Sequence, residues 1–338
     1  MGCGDISVIH TAAIATIPEA RLVAVCDRDP DRLAAAETAY GVPGFADHRA
    51  LLDAVAPEVV HICTSHDAHV SVALDCLARG IHVVMEKPLA HTLAEGDRLV
   101  AAAEGSAAKI AVCFQNRYNT AVAALHERLS AGDLGRVLGA AATVCWHRTA
   151  DYYRDRPWRG TWAGSGGGLL MNQAIHTVDL LQWLLGEVTA VAGHASTRAL
   201  AGAIEVEDTA ELTLDHAGGA RSLLYATLAH VANAPVTIEV VTERATLDLR
   251  GDLTVRHRDG RVEVVREPRV ATGARAYWGI SHELLIRDFY ARIDEPGPFW
   301  ISPEEARTSL RIVQEVYRQS RLGNFWQRVD PLVTARIE

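Results

Sequence analysis

Behind three consecutive glycines, Gly166-Gly167-Gly168, the chain carries Asn172, His176 and Asp179 at spacings of i, i+4 and i+7. On a helix running from about 171 to 185, those three side chains share one face. An imidazole on such a face can take up or release a proton near neutrality, and a neighbouring amide can orient a hydroxyl. Leu180, Leu181, Trp183, Leu184 and Leu185 make the rest of the cylinder apolar, so the helix is buried and its polar groups need partners. Taken alone, the segment reads equally well as a structural hydrogen-bond network. Three successive glycines do not belong in a helix interior, where each is about 1 kcal/mol worse than alanine. They mark backbone that passes close to another group. Gly186 stands where a left-handed C-terminal cap is expected.

The second chemical cluster is Glu86-Lys87-Pro88. It closes an apolar strand that Pro88 cannot continue. The Lys87 ammonium is therefore expected to project at the carboxyl end of a parallel sheet, where such folds bind ligands. A snorkelling surface cation is the plainer reading of a lone lysine there. At the amino end, Gly2-x-Gly4 followed by Asp5 and Ile6 has the form of a phosphate-binding turn. Glycine lets backbone approach a pyrophosphate, and the helix N-terminus that follows favours anions. Ser7 occupies the third glycine position, and only Met1 precedes the turn where a strand belongs. Asp27, about twenty residues on, is placed to bind adenosine ribose hydroxyls, which favours NAD over NADP. Arg28 beside it could offset that preference or stack on adenine, so NADP stays open; a turn residue is the plainer reading of Asp27. His66 and His69 have metal-ligand spacing but no third ligand nearby, so no metal is expected. Their place after Thr64-Ser65 points to cofactor contact instead.

Two kinds of element must position these groups. In the first third of the chain, apolar strands (21–26, 58–63, 81–85 and 109–114) alternate with helices (8–16, 29–41, 46–55, 68–79 and 92–103). Asp29-Pro30 supplies an N-cap with proline at the first helical position, and Thr92-Leu93-Ala94-Glu95 a capping box. Such alternation predicts a doubly wound parallel sheet covered on both faces. Beyond Arg117, a helix (119–130) and a strand (137–147) lead into an aromatic, arginine-rich stretch at 152–162. After the glycine-led helix come strand-like runs at 188–197, 208–214, 222–230, 236–242, 245–249, 253–256 and 262–266. Gly218-Gly219, Gly251-Asp252 and Asp259-Gly260 punctuate them as hairpin turns. Helices at 282–292 and 303–322 finish the chain, the latter opened by Ser302-Pro303-Glu304-Glu305. The expected architecture is α/β: a dinucleotide-binding Rossmann domain over 1–117, its first strand truncated, and an α+β domain over 118–338 with a large, mostly antiparallel open sheet. Loss of a central strand bares its neighbours' ladders. Translation is therefore expected to start upstream of Met1, or the chain to be a poorly folding fragment. The Pro/Arg-rich stretch 268–275 is expected to be a surface loop.

A chain of 338 residues favours two domains. Lys plus Arg 33 against Asp plus Glu 42 leave a net charge of −9, which argues against a nucleic-acid partner. The basic residues between Arg148 and Arg159 point to a local anionic or polyhydroxy ligand. No apolar run reaches the roughly eighteen residues of a membrane helix, and no secretory signal follows Met1. The six cysteines are scattered and form no C-x-x-C pair. That argues against zinc or a disulfide framework and for a reducing, cytoplasmic setting.

Several of these motifs occur together: Gly2-Cys3-Gly4-Asp5-Ile6, Ala24-Val25-Cys26-Asp27, Glu86-Lys87-Pro88, Gln115-Asn116-Arg117, Trp158-Arg159-Gly160-Thr161-Trp162, the glycine-led helix and Tyr317. With them the sequence resembles the Gfo/Idh/MocA family over essentially its whole length. The pairing of E-K-P with G-G-G-x-x-x-[D/N]-x-x-x-H-x-x-D is the specific part. The resemblance implies a Rossmann domain and a second domain whose open sheet packs on another subunit, giving a homodimer or homotetramer. It implies NAD(P)-dependent oxidoreduction of a hydroxyl or ketone on a sugar, cyclitol or sugar derivative. It adds Glu86, Lys87 and Gln115 to the cofactor contacts and assigns Lys87 and His176 to catalysis. Asn172 stands where the family often has aspartate; an amide cannot ionise, which weakens any proton relay through that position.

When hydride leaves a secondary alcohol, the hydroxyl proton must depart too. His176 suits that base and Lys87 the ammonium where negative charge develops, with Asn172 orienting the hydroxyl. The first two roles exchange if burial depresses the lysine. Arg117, Tyr153, Trp158 and Arg159 are the expected substrate contacts, rings against sugar faces and guanidinium forks on hydroxyls or a carboxylate. A tryptophan-stapled structural loop is the alternative, and His282 is a weaker candidate. Two other functions stay open: a glycoside-cleaving enzyme of the same fold that oxidises transiently with tightly held NAD, and a catalytically silent sensor. Retention of both Lys87 and His176 argues against the sensor. The dehydrogenase reading requires those two groups, far apart in sequence, to meet over the same nicotinamide ring.

Overall fold

The computed structural model describes residues 1–268 and 281–323; all but the start of the 268–275 stretch lies outside the described residues. The chain forms two compact units, Met1–Gln115 with Ser281–Arg307, and Asn116–Ile280 with Thr308–Glu338. The sequence-based break after 117 falls close to the first crossing. The single domain expected beyond it differs from this division in one segment, Ser281–Arg307, which belongs to the first unit. Nothing local in that segment marks which core it joins.

The first unit alternates as expected: α1 (Ser7–Ala15), β1 (Val25–Cys26), α2 (Pro30–Tyr40), β2 (Gly44–Phe45), α3 (His48–Val55), β3 (Val59–Ile62), α4 (His66–Leu77), β4 (His82–Met85), α5 (Leu93–Glu104) and β5 (Ile110–Val112). Strand β1 pairs with β2, β3 with β4 and β4 with β5, every pair parallel. Val83, Val84, Met85, Ala111 and Val112 are completely buried, which is why these strands read as unbroken apolar runs. The caps form where the sequence places them. Asp29 accepts from the N–H groups of Asp31 and Arg32 at 3.0 and 3.2 Å, and Thr92 from that of Glu95 at 3.2 Å. The Met1 ammonium donates to the His61 carbonyl at 2.6 Å, Cys63 N–H to the Met1 carbonyl at 2.7 Å, and Gly2 N–H to the Cys26 carbonyl at 2.8 Å. Met1 and Gly2 thus link β1 to β3, and the parallel strands fall into two sheets, β1–β2 and β3–β4–β5.

The second unit holds α6 (Thr120–Ser130), β6 (Val137–Cys145), α7 (Ala150–Arg154), α8 (Trp162–Ser165) and α9 (Ile175–Leu185). Seven strands follow: β7 (Val188–Ser196), β8 (Thr209–His216), β9 (Arg221–Thr227), β10 (Thr237–Thr242), β11 (Ala245–Arg250), β12 (Asp252–His257) and β13 (Val262–Val265). With β6 they form one eight-stranded sheet in the order β13-β12-β11-β10-β6-β9-β8-β7, antiparallel except between β6 and β9. Gly219, Gly251 and Gly260 turn its hairpins with φ of 82°, 72° and 91°, conformations that L side chains avoid. Leu212, Leu214, Leu224, Val240, Leu247 and Leu253 point to a buried face, on which α6 covers β11 to β13 and α9 meets β6. The opposite face carries Leu223 and Tyr225, both exposed, in register with Ala141 and Thr143.

Two helices close the described chain, α10 (His282–Ala291) and α11 (Pro303–Ser320). In the first unit α10 packs against α1. Ser302 caps α11 by accepting from Glu305 N–H at 3.3 Å.

Candidate functional site

In the second unit the helix expected from 171 begins earlier and is wound differently. Residues Leu170–Ala174 form a π turn that runs into α9, a distortion that often marks functional positions. Asn172 and His176 on it are half-buried, whereas Asp179 is buried. Gly186 does end α9 with positive φ, but at φ 86° and ψ −172° it adopts a glycine conformation other than the left-handed cap expected.

The three glycines are explained by protein neighbours. A Cβ on Gly168 would run into the Glu207 backbone carbonyl, and one on Gly167 into the Tyr317 hydroxyl and the Met171 side chain. Gly166, at φ 72°, caps α8. The Glu207 carboxylate accepts from the N–H groups of Gly168 and Leu170 and from the Tyr317 hydroxyl, each at 2.8 Å. Its carbonyl accepts from Leu169 N–H at 3.1 Å. Glu207 thereby satisfies the donors that any helix start leaves orphaned. Gly168→Ala is expected to destabilise the protein by about 1–3 kcal/mol, the range for overpacking a tight site. Chemical denaturation measures it, and an unchanged midpoint would contradict the collision.

Asp179 meets Arg117 in a two-pronged pair, Nε to Oδ2 at 2.8 Å and Nη2 to Oδ1 at 2.7 Å, and also accepts from the Ser309 hydroxyl at 3.2 Å. Both side chains are 1% exposed, and the guanidinium lies 5.2 Å from the Trp183 ring. Arg117 therefore anchors α9 rather than offering its fork to a substrate. Tyr153 is a second correction. It is buried, its ring lies against Gly160, and its hydroxyl has no hydrogen-bond partner among the described residues. Its neighbour Tyr152 faces the candidate residues, with its hydroxyl 3.5 Å from Asn172 Nδ2 and 3.4 Å from Gln173 Nε2. Successive side chains on α7 are rotated by about 100°, so sequence alone could not choose between the two tyrosines. Arg148 and Arg159 stack on the Tyr152 ring at 5.1 and 4.6 Å, and Arg159 also lies 5.7 Å from the Trp158 ring. The structure thus brings Trp158 and Arg159 together with Tyr152 and Arg148, which the sequence reading placed in the same ligand-directed stretch without naming them as contacts.

In the first unit, Gly2 (φ 82°) carries backbone so close to Cys63 that a Cβ would sit 2.5 Å from its carbonyl oxygen, while Gly4 faces open space. Gly4, Asp5 and Ile6 form the turn into α1. Asp27 accepts from Cys3 N–H at 2.7 Å on one oxygen and from Asp29 N–H at 2.9 Å on the other. Its carboxylate is therefore fixed beside the glycine turn, with lone pairs left over. Thr64 and Ser65 are half-buried before α4, but His66 and His69 are buried. His69 lies between the carbonyls of Pro88 at 2.9 Å and Thr64 at 3.3 Å, and burial holds its imidazole below its ordinary value. These two histidines belong to the scaffold; the expected cofactor contact at this segment is left to Thr64 and Ser65.

Glu86 and His282 also differ from expectation. Glu86 Oε1 bonds both His282 Nε2 at 2.9 Å and His10 Nε2 at 3.1 Å; His10 Nδ1 meets His61 Nδ1 at 2.8 Å, and His61 Nε2 reaches the Tyr290 hydroxyl at 3.2 Å. Burial opposes ionisation of Glu86, but the bonds from His10 and His282 outweigh it and hold the carboxyl well below its usual range. Glu86 is thus turned inward, leaving Lys87, half-buried and joined to Pro88 by a cis peptide, as the outward member of the motif. The ligand atoms of His10, Glu86 and His282 lie within 4.8 Å of one another. Both histidines address one oxygen at hydrogen-bond distance, as a doubly bonded carboxylate requires.

A parallel-stranded nucleotide-binding unit with a glycine turn and a Glu-Lys-Pro motif, and an open-sheet unit with a glycine-led histidine helix, define a nucleotide-dependent oxidoreductase. The chain belongs to the Gfo/Idh/MocA family: residues 1–114 match its oxidoreductase domain with NAD-binding Rossmann fold, and residues 122–248 match its C-terminal domain. It is 29% identical to D-apiose dehydrogenase of Paraburkholderia graminis, over 96% of this chain and 87% of that one. Among solved structures, the WlbA dehydrogenase of Bordetella pertussis, in complex with NADH and UDP-GlcNAcA, is 30% identical with a TM-score of 0.80, over 95% of this chain and 94% of that one. A levoglucosan dehydrogenase, in complex with NADH and levoglucosan, is 25% identical with a TM-score of 0.84, over 95% of each chain. The protein is an NAD-binding oxidoreductase.

Proposed function

We propose that the protein is an NAD-dependent dehydrogenase that oxidises a secondary hydroxyl of a sugar, cyclitol or sugar derivative. The observation that carries this reading is the half-buried Asn172–His176 pair on its clamped turn, faced by Tyr152 with two guanidiniums stacked on its ring. Bound NAD supplies the hydride acceptor. Gly2, Gly4, Asp5 and Ile6 would hold its pyrophosphate, Asp27 its ribose hydroxyls through the lone pairs left by Cys3 and Asp29, and Arg28 its adenine end, with Thr64, Ser65 and Gln115 lining the rest. The open space beside Gly4 and the fixed Asp27 carboxylate suit that group.

His176 accepts the hydroxyl proton, Asn172 orients the hydroxyl, and the Lys87 ammonium stabilises charge that develops on its oxygen. Trp158 offers a ring face, Tyr152 its hydroxyl and Arg159 a guanidinium to a polyhydroxy ring. The relatives' sugar substrates support the same class. A panel of aldoses, cyclitols and nucleotide sugars, followed by NADH absorbance, tests it. Net NADH formation with at least one member is the expected result, and none with any would refute it.

The exposed sheet face around Leu223 and Tyr225 supports a homodimer or homotetramer built on that face. Equilibrium sedimentation should give a multiple of the chain mass, and a monomer at working concentration would end this part. Six free thiols support a cytoplasmic setting.

A further inference from the structure

We infer that Glu207 is a positioning residue of this site: its ionised carboxylate fixes the glycine turn from which Asn172 and His176 are presented. The inference rests on the proposed roles of those two residues, but its geometry does not. Glu207 is completely buried, and three donors converge on its two oxygens. Leu170 N–H and the Tyr317 hydroxyl meet Oε1, and Gly168 N–H meets Oε2. An ionised carboxylate accepts at both ends. An amide of the same shape does not: one end would point N–H at N–H and release one side of the turn.

Gly168 and Leu170 open the helical segment that carries Asn172 and His176. Movement at that clamp therefore shifts both side chains together. Tyr317 ties it to α11, where its own hydroxyl is buried and its ring lies edge-on to Trp162 at 5.1 Å.

The clamp is sensitive to protonation. Burial raises the Glu207 carboxyl to about 7, while the bonds from Leu170, Tyr317 and Gly168 pull the other way. The titratable groups that face it are the Tyr317 hydroxyl and, less directly, Tyr153. Its neighbour Asp208 is engaged with the N–H groups of Arg198, Ala199 and Leu200 at 2.9, 2.8 and 2.7 Å. No ion pair to Glu207 occurs among the described residues. Because the folded value lies above the unfolded 4.5, this group's stability contribution is full below 4.5 and is lost as pH rises through about 7. Order at the turn runs the opposite way, since only the ion accepts from all three donors. The site gains definition in the pH range where the fold loses some stability.

Glu207→Gln should lower kcat on the order of 100-fold, the penalty for displacing reacting groups by about an ångström, with the KM for NAD unchanged. Hydrogen exchange in a peptide spanning 166–175 should speed up, and the acid limb assigned to Glu207 should vanish from the pH profile. Tyr317→Phe keeps the carboxylate and both N–H bonds but removes a donor that stabilises the ion. Its acid limb should move to higher pH. Wild-type kcat with unchanged exchange in Glu207→Gln would overturn the inference. If that variant does not fold, Tyr317→Phe decides, and a limb that stays put or moves down overturns it. The exchange readout does not depend on the dehydrogenase assignment: if His176→Ala retained full turnover, that assignment would fail while the clamp could still be confirmed or rejected.

Discussion

His176→Ala lowers kcat of NAD-linked turnover by about two to four orders of magnitude, the usual contribution of a positioned acid–base group, and leaves NAD affinity intact. The expectation follows from division of labour. In the proposed arrangement NAD would be held by the first unit's glycine turn and Asp27, whereas His176 lies on α9 of the second unit and would act on the reacting hydroxyl. Lys87→Ala should fall into a similar range, because an ammonium aimed at developing oxyanion charge acts mainly in the transition state. The two variants separate by pH. Loss of the base flattens the limb on which its deprotonation governs rate, and loss of the ammonium lowers the plateau. Steady-state kinetics across pH, with NAD binding followed by fluorescence, distinguishes them. Full turnover in either variant removes that residue from the mechanism.

What could be read from the chain alone was whatever lay within a few residues of its own cause. Asp29 two and three positions before the N–H groups it caps, Thr92 three before Glu95, and glycines at the hairpins all carry their reason in local sequence. So does the apolar run of β4. What escaped was decided across long separations. Glu207 reaches back 39 residues to Gly168, and His282 reaches 196 residues to Glu86. No periodicity announces either contact. The glycine triplet was rightly read as backbone passing close to something, but that something is Glu207 and Tyr317. Arg117 was misplaced for a related reason: a guanidinium fork suits a buried aspartate as well as a substrate carboxylate, and sequence does not say which it meets. The π turn over Leu170–Ala174 was equally hidden, because no helix propensity in those residues announces an extra residue per turn.

The largest stability effect expected in the first unit is that of Glu86→Gln. One proton arrangement suits every distance in that cluster. His10 as imidazolium donates from Nε2 to Glu86 and from Nδ1 to His61; His61, neutral, donates from Nε2 to the Tyr290 hydroxyl; His282 donates from Nε2 to the same Glu86 oxygen. Burial works against charge on His10, but Cys63, Cys113 and Glu86 outweigh it and hold the imidazole well above 6.5, while burial and the His10 charge hold His61 well below it. Removing the carboxylate's charge strands a buried cation, which typically costs about 3–5 kcal/mol. The signs then fix the pH window. Glu86, lowered from 4.5, contributes stability that is present above 4.5 and lost as pH falls through its folded value. His10, raised from 6.5, contributes fully below 6.5 and loses its share as pH rises through its folded value. The gap between wild type and variant is therefore widest between 4.5 and 6.5, and it narrows in stronger acid as Glu86 takes up its proton. Denaturant unfolding of both proteins across the acid-to-neutral range measures that gap, and a His10 resonance that titrates at its ordinary value would show that the buried ion pair is not there.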